Sequence, residues 1–307
     1  MNKKVLLLGG QGRLARALLT TQPPGVFVQA LSRAELDITN ARRFETFIQT
    51  FEPQVVINAA AWTDVSGAQQ QREAVFDVNA VAPTRIAKVL SERQIPLVHY
   101  STDYVFSGEG EAPWYEDSEP NPKTNGVYGQ SKLEGEKGLG ESGVSGVVIR
   151  AGWLHSGERD FVAAILNAAL AKKALTVTAA QVGTPTHTAT LATWTWQFLP
   201  CFEKQHSISI VHYVESGEWV TRAEFARYLL YSAEKYCTNL QLTAMANTLH
   251  EACVGLTVTQ DIDAIRPANC RLATRFPSRL ALLPHWKRGV DKSVENVIKT
   301  KLRTWIN

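Results

Sequence analysis

Two hydrophobic patterns alternate along the first half of the chain. Short runs rich in β-branched residues and leucine fall at "VLLL" (5–8), "VFVQAL" (26–31), "VVINAA" (55–60), "LVHYST" (97–102) and "GVVIRA" (146–151). Stretches with helical spacing lie between them, at 13–20, at 41–51 ("ARRFETFIQTF"), at 71–93 and from about 127 to 140. Runs this continuously apolar suit strands covered on both faces, and the intervening helices supply the cover. The pattern predicts an α/β fold built on a doubly wound parallel sheet.

Segment 109–125, "EGEAPWYEDSEPNPKTN", breaks the rhythm with Pro113, Pro120 and Pro122 among many acids. It reads as a long ordered loop, of the kind that often carries function in compact domains. The second half is less regular. It predicts helices over 158–173 and 221–236, the latter opening on a capping box of Thr221 and Glu224, and a final helix over 291–305.

Composition narrows the class only modestly. The 307 residues suffice for one large α/β domain or two smaller ones, and 45% hydrophobic with 20% charged residues is ordinary for a chain that builds a core. A net charge of +3, with scattered Lys and Arg, gives no reason to expect nucleic acid as a partner. Cys201, Cys237, Cys253 and Cys270 form no CxxC pair, which fits reduced thiols and a cytoplasmic location. The opening "MNKKVLLLGG" has an apolar run of only Val5 to Leu8, short of the roughly 7–15 residues of a secretory signal, so it reads as a first buried strand. No run approaches the roughly 18 apolar residues of a membrane helix, and no membrane role is expected. No histidine pair has HxxxH or HExxH spacing, so no metal site is expected, and no G-x-S-x-G elbow is present.

Chemistry begins at "LLLGGQGRLA". Gly9, Gly12 and Ala15 stand at G-x-x-G-x-x-A spacing, after a strand and at the opening of a helix. Glycine is required where the backbone turns tightly beside a pyrophosphate, and the free N–H groups of the helix then face the phosphates. This context predicts dinucleotide binding in a Rossmann-type sheet. NAD sites want an acid about 20 residues on for the ribose hydroxyls. Here Ser32 and Arg33 follow the second strand, and the first acid after them is Glu35. A guanidinium and a hydroxyl suit a 2′-phosphate that a carboxylate would repel, which predicts NADPH over NADH, with NADH still open.

In "GVYGQSKLEGEK" (126–137), Tyr128 and Lys132 are four residues apart and share a helix face. Spacing alone decides nothing, because "YSAEK" repeats it at Tyr231 and Lys235. Position separates the two pairs. Thr102 ends an apolar strand 26 residues before Tyr128, and the carboxyl edge of an open α/β sheet is where ligands bind. The pair at 231 and 235 lies in a long amphipathic helix with no such neighbours and reads as surface.

The order of glycine loop, "INAAAWT" (57–63), "DVNAVAP" (77–83), "STDYVF" (101–106) and "YGQSK" (128–132) resembles the extended short-chain dehydrogenase/reductases. More narrowly, "LDIT" (36–39), "GTPT" (183–186), "HYVESGEWVTRAEFA" (212–226) and "RPANCRL" (266–272) resemble the dTDP-4-dehydrorhamnose reductase family over nearly the whole chain. The resemblance implies NADPH-dependent reduction of the C4 ketone of a nucleotide-linked, dTDP-type 6-deoxy-hexose for cell-surface polysaccharide precursors. It divides the chain into an NADP-binding domain over 1–152, with some later segments returning to it, and a mainly sugar-nucleotide-binding domain over 153–307. Thr102 would hold the carbonyl, Tyr128 would donate the proton and Lys132 would bind the nicotinamide ribose.

By the same resemblance, Gly9, Gln11, Gly12, Arg13, Leu14, Ser32, Arg33, Asp37, Ile38, Ala59, Ala60, Ala61 and Asn79 join Tyr128 and Lys132 around the cofactor. Thr63, Thr102, Asp103, Tyr104, Trp153 and Arg266 would meet the substrate, Arg266 at its diphosphate. The chemistry agrees with this casting. An ammonium about 4 Å from the phenol, at an effective dielectric of about 20, is worth roughly 4 kcal/mol. That is about three pKa units, enough to bring a phenol of pKa about 10 near 7.

Related dehydratases resemble a Thr-Asp-Glu pattern, whereas this chain reads Thr102-Asp103-Tyr104, which argues against dehydration. Two alternatives stay open. A 4-epimerase would use the same hydroxyl, tyrosine and lysine with retained NAD, against which Ser32 and Arg33 weigh. A non-enzymatic NADP-binding regulatory subunit would keep the fold, against which the complete triad weighs. The chain departs from the family at Thr63-Asp64-Val65-Ser66-Gly67-Ala68-Gln69, where T-A-V-D-K-A-E is usual, and at "RAGW" (150–153), where R-T-S-W is common. Ala17, Ala189 and Lys287 stand where some members place magnesium-binding glutamates, so a homodimer stays open but not a metal-bridged one.

Overall fold

Val5 to Leu8 are wholly buried, with Val5 and Leu7 facing one helical layer and Leu6 and Leu8 the other. Such two-sided burial is what a central parallel strand requires. In the computed structural model, residues 3–122, 126–203, 206–276 and 283–306 are described. The elements run β1 (Lys3–Leu8), α1 (Arg13–Thr20), β2 (Val26–Leu31), α2 (Ala41–Phe51), β3 (Val55–Asn58), α3 (Arg72–Phe76), α4 (Ala82–Glu92), β4 (Leu97–Thr102), α5 (Gly126–Glu141) and β5 (Gly146–Ala151). Then follow β6 (Leu154–His155), α6 (Phe161–Leu170), β7 (Thr176–Thr178), β8 (Val182–Gly183), β9 (Thr186–His187), α7 (Thr188–Phe202) and β10 (Ile208–His212). The chain continues through β11 (Val220–Thr221), α8 (Arg222–Asn239), α9 (Thr243–Val254), β12 (Thr257–Thr259), β13 (Asn269–Cys270) and α10 (Trp286–Ile306).

The main sheet has the order β10-β5-β4-β3-β1-β2, with every pair parallel. Its register sets Leu8 beside Asn58, Asn58 beside His99, and Thr102 beside Ala151. On one face Leu14 and Leu18 of α1 pack with Leu191, Trp194 and Leu199 of α7. On the other, Phe44 and Ile48 of α2, Ile86 and Leu90 of α4, and Leu139 of α5 do the same. Each fully buried Leu, Ile or Val contributes roughly 1.5–3 kcal/mol. A separate core is formed by α6, α8, α9 and α10. The doubly wound parallel sheet expected from the hydrophobic pattern is therefore present, with a sixth strand and α7 drawn from beyond residue 200 and residue 187 respectively.

The expected helix over 71–93 is interrupted. Between α3 and α4 the turn Asp77–Val81 is π-helical. Pro83 has no N–H to give the Asn79 carbonyl four residues back, so the helix widens there. α10 begins five residues earlier than expected, and α6 is shorter because the Asp160 carboxylate caps it at the Ala163 N–H. The loop after residue 108 is irregular and tied down by Trp114, which stacks on Phe106 at 4.9 Å and bridges to Leu272. Its last three positions, 123–125, lie outside the described residues.

Helix α5 is held unusually close to the rest. A Cβ on Gly129 would collide with the Tyr104 carbonyl, and one on Gly135 with the Asn79 carbonyl. Glu136 meets Arg150 of β5 in a buried bidentate pair, with contacts of 2.6 and 3.0 Å. Removing one partner strands the other charge out of water. Glu136→Ala is therefore expected to cost about 3–5 kcal/mol of stability, read as a lowered urea midpoint. An unchanged midpoint would show that the pair does not anchor α5.

Candidate active site

β4 delivers Thr102 to the carboxyl edge of the sheet. Its hydroxyl accepts from the Tyr104 N–H at 3.2 Å and donates to Asp103 Oδ1 at 2.9 Å, starting a 3-10 turn over Asp103–Val105. The close approach at Gly129 brings Tyr128 onto this turn, where its ring meets Tyr104 edge-on at 5.7 Å. Asn79, buried in the π turn, ties the pieces together. Its Oδ1 accepts from the Trp62 N–H at 2.8 Å, and its Nδ2 donates to Ser131 Oγ at 3.0 Å. The residue thus fixes the loop after β3 to α5. Burial pushes the Tyr128 phenol up, the Thr102 hydroxyl in hydrogen-bonding contact pulls it down, and Asp103 and Tyr104 push it up again.

Lys132 differs from expectation. Its charge does not act on the Tyr128 phenol, because Nζ is held by groups of β4. Nζ donates to the Tyr100 carbonyl at 2.7 Å and lies 3.3 Å from His99 Nε2. Burial lowers its pKa to about 8, with Glu136 acting the other way. A phenol drawn toward pH 7 by an adjacent ammonium is therefore not what this arrangement produces. Burial governs both groups.

The glycine loop lies next to this edge. Gly9 has φ +79°, and a Cβ there would stand 2.8 Å from the backbone of Ala60. Gly12 caps α1 without a side-chain bond, leaving the first-turn N–H groups to face a phosphate. This cradle, open where any side chain would fill it, fits a dinucleotide. Gln11 is exposed, and Leu14 and Ile38 are core residues. Arg13 Nη1 is engaged elsewhere, at 3.2 Å from Asp160 Oδ2 and 3.3 Å from the Leu154 carbonyl. The N–H of Ala59 reaches the Leu8 carbonyl, that of Ala60 reaches Asn58 Oδ1, and Ala61 follows half-buried. After β2, Ser32 gives both its N–H and its hydroxyl to Glu35, at 2.8 and 2.6 Å. Arg33 is exposed and pairs with Asp37 at 3.1 Å, and Asp37 also accepts from Thr39. The guanidinium is thus the more available of the two groups read for a 2′-phosphate.

The opposite wall carries the residues expected to meet a substrate. Trp153 sits at φ +47°, an uncommon conformation for a bulky residue, and the Arg222 guanidinium lies 3.6 Å over its ring. Arg222 Nε donates to Gln181 Oε1 at 2.9 Å, and Gln181 Nε2 donates to the Tyr104 hydroxyl at 3.2 Å. Burial raises the Asp103 carboxyl, beside which stand Cys270 and Gly152. Thr63 is exposed, and Arg266 donates to Ser66 at 3.4 Å. Both departures from the family pattern, at 63–69 and at Gly152, therefore border this wall. Sequence reading missed Asn58, His99, Ser131, Gln181, Arg222 and Cys270. Asn58 and His99 carried a local signal, each a polar residue inside a run buried on both faces. Tyr231 and Lys235 are exposed on α8, as expected. No group of three metal-binding side chains exists among the described residues.

A wound parallel sheet with a glycine loop, and with a hydroxyl, a tyrosine and a lysine at its carboxyl edge, defines an oxidoreductase of the short-chain dehydrogenase/reductase type. The family model described as the RmlD substrate binding domain matches residues 3–299. The dTDP-4-dehydrorhamnose reductase of Escherichia coli is 32% identical over 86% of each chain. A solved dTDP-4-dehydrorhamnose reductase ortholog from Clostridium acetobutylicum superposes with a TM-score of 0.82 at 26% identity, over 96% of this chain and 99% of that one. The Bacillus anthracis enzyme solved with NADP superposes at 0.81 and 23% identity, over 96% and 100%. The chain belongs to the RmlD family of dTDP-4-dehydrorhamnose reductases.

If Arg33 holds the 2′-phosphate, Arg33→Ala should reduce the kcat/KM preference for NADPH over NADH by about 10-fold or more, as loss of one charge-assisted contact of about 1.5–3 kcal/mol implies. An unchanged preference in coupled kinetics would remove Arg33 from cofactor selection.

Proposed function

We propose that this chain uses NADPH to reduce the C4 ketone of a nucleotide-linked 4-keto-6-deoxy-hexose, dTDP-4-dehydrorhamnose or a close relative. The work belongs to cytoplasmic synthesis of cell-surface polysaccharide precursors. One observation carries the reading: α5 sets the Tyr128 ring 5.7 Å from Tyr104, on the turn that Thr102 opens at the end of β4, beside the glycine cradle.

The cofactor, when bound, supplies a hydride to the ketone carbon. The protein's own task is the oxygen. Tyr128 hydrogen-bonds the carbonyl, Thr102 joins it by turning its one hydroxyl proton from Asp103 to the carbonyl oxygen, and Tyr128 gives up its proton as negative charge develops there. A phenol kept protonated by burial serves this direction well, because an alkoxide is a far stronger base than a phenolate. Asp103 stays next to Thr102 and orients its hydroxyl. Lys132 and Asn79 position the nicotinamide side, through the ribose and through the braced loop at Trp62. Thr63, Trp153 and Tyr104 would bound the sugar ring, while Arg266 would meet the diphosphate. Because Gly152 and Ser66 depart from the common pattern on this wall, the sugar itself is the part of the reading most open to variation within the class.

Tyr128→Phe keeps the ring packed on Tyr104 and removes only the acid. It should bind NADPH with unchanged affinity and lose about 10²–10⁴-fold in kcat, followed as NADPH oxidation with a 4-keto-6-deoxy sugar nucleotide made in situ. Retained turnover would end this assignment.

A further inference from the structure

A buried chain of hydrogen bonds runs from the floor of the glycine loop to Lys132. The Ala60 N–H donates to Asn58 Oδ1 at 3.1 Å. Asn58 Nδ2 lies 3.1 Å from His99 Nδ1, and His99 Nε2 lies 3.3 Å from Lys132 Nζ. Nζ donates onward to the Tyr100 carbonyl at 2.7 Å. Asn58, His99 and Lys132 are all almost fully buried, so a mismatched pair has no solvent to turn to.

The direction of every bond follows from its first member. A backbone N–H can only donate, so it claims the oxygen of Asn58 and leaves the amide NH2 facing His99. His99 Nδ1 must then accept, which puts the ring proton on Nε2, aimed at Lys132. An ammonium has three protons and no lone pair, so it cannot accept that bond, whereas a neutral amine can. Turning the Asn58 amide over moves the clash to Ala60. Choosing the other tautomer moves it to Asn58. One arrangement satisfies all the members, and in it Lys132 is uncharged.

We infer that His99 is a positioning residue that holds Lys132 against Tyr100 as a neutral amine, and that Lys132 takes a proton from solvent when it leaves His99 to serve the cofactor. The surroundings agree. Among the described residues Glu136 is the one charge that acts appreciably on Lys132, and its carboxylate is already engaged by Arg150, with His212 beyond at 3.4 Å. Asp103 and Tyr104 act on Tyr128 at the strand end rather than on Nζ. Burial sets Lys132 titrating at about 8, within reach of experiment. The inference rests on the reading that Lys132 serves NADPH, and it makes cofactor binding a proton-uptake event.

Calorimetry of NADPH binding at about pH 9, in two buffers of different ionisation enthalpy, measures that uptake. The wild type should take up most of a proton per NADPH, and Lys132→Met none. No uptake by the wild type, or undiminished uptake by Lys132→Met, would overturn the inference. The 15N spectrum of His99 in the protein without cofactor provides a second test that needs no variant to fold. The Nε2–H tautomer is expected, and the Nδ1–H tautomer would refute it. Failure of NADPH to bind at all would count against the reductase reading, while the tautomer would still decide this one.

Discussion

The site depends on how closely α5 lies against the edge of the sheet. At Gly129 and Gly135 nothing but backbone separates the helix from the Tyr104 and Asn79 carbonyls. A single methyl group at either position would lift the helix, and Tyr128 with it, away from Thr102. The π turn at Asp77–Val81 belongs to the same constraint. Pro83 frees the Asn79 carbonyl from the helical ladder, the turn widens, and Asn79 projects its amide to both Trp62 and Ser131. The loop after β3 and the catalytic helix are thereby joined through one buried side chain. Glu136 and Arg150 clamp the far half of α5 to β5.

Within that frame, burial rather than pairwise charge sets the protonation of the key groups. It raises the Tyr128 phenol and the Asp103 carboxyl and lowers Lys132 to about 8. For a reductase this is a workable resting state. The acid holds its proton until an alkoxide begins to form, and the lysine is uncharged until it has a partner.

Much of this was legible in the sequence. β1, β3, β4 and β5 announce themselves as runs buried on both faces, and β2 by its apolar run alone, since it lies at the sheet edge with Phe27 exposed. β10 does not, because Ile208–His212 is a short edge strand whose first residues are half-buried. α7 was missed for another reason: the exposed stripe of "TATLATWTWQFLPCF", at Thr193, Gln197, Pro200 and Cys201, carries no charge and includes a proline, so it does not stand out as the polar face of a helix. Thr102, Tyr128 and Lys132 could be found by position, each near the start or end of an element at the same sheet edge. The direction in which Lys132 points could not. It is set by His99, 33 residues away, and by a strand carbonyl, neither of which sequence spacing reveals. The same limit hid Gln181 and Arg222, which meet Tyr104 and Trp153 only in the folded chain.

Hydride transfer to C4, with the proton drawn from the enzyme, is the central claim. NADPH carrying deuterium at the transferable nicotinamide position tests it most directly. Proton NMR of the sugar nucleotide formed from a 4-keto-6-deoxy-hexose substrate should show one deuterium, on C4, with one NADPH consumed per sugar reduced. Label at any other carbon, an unlabelled C4 epimer, or no NADPH consumption with any 4-keto sugar tried would contradict the account.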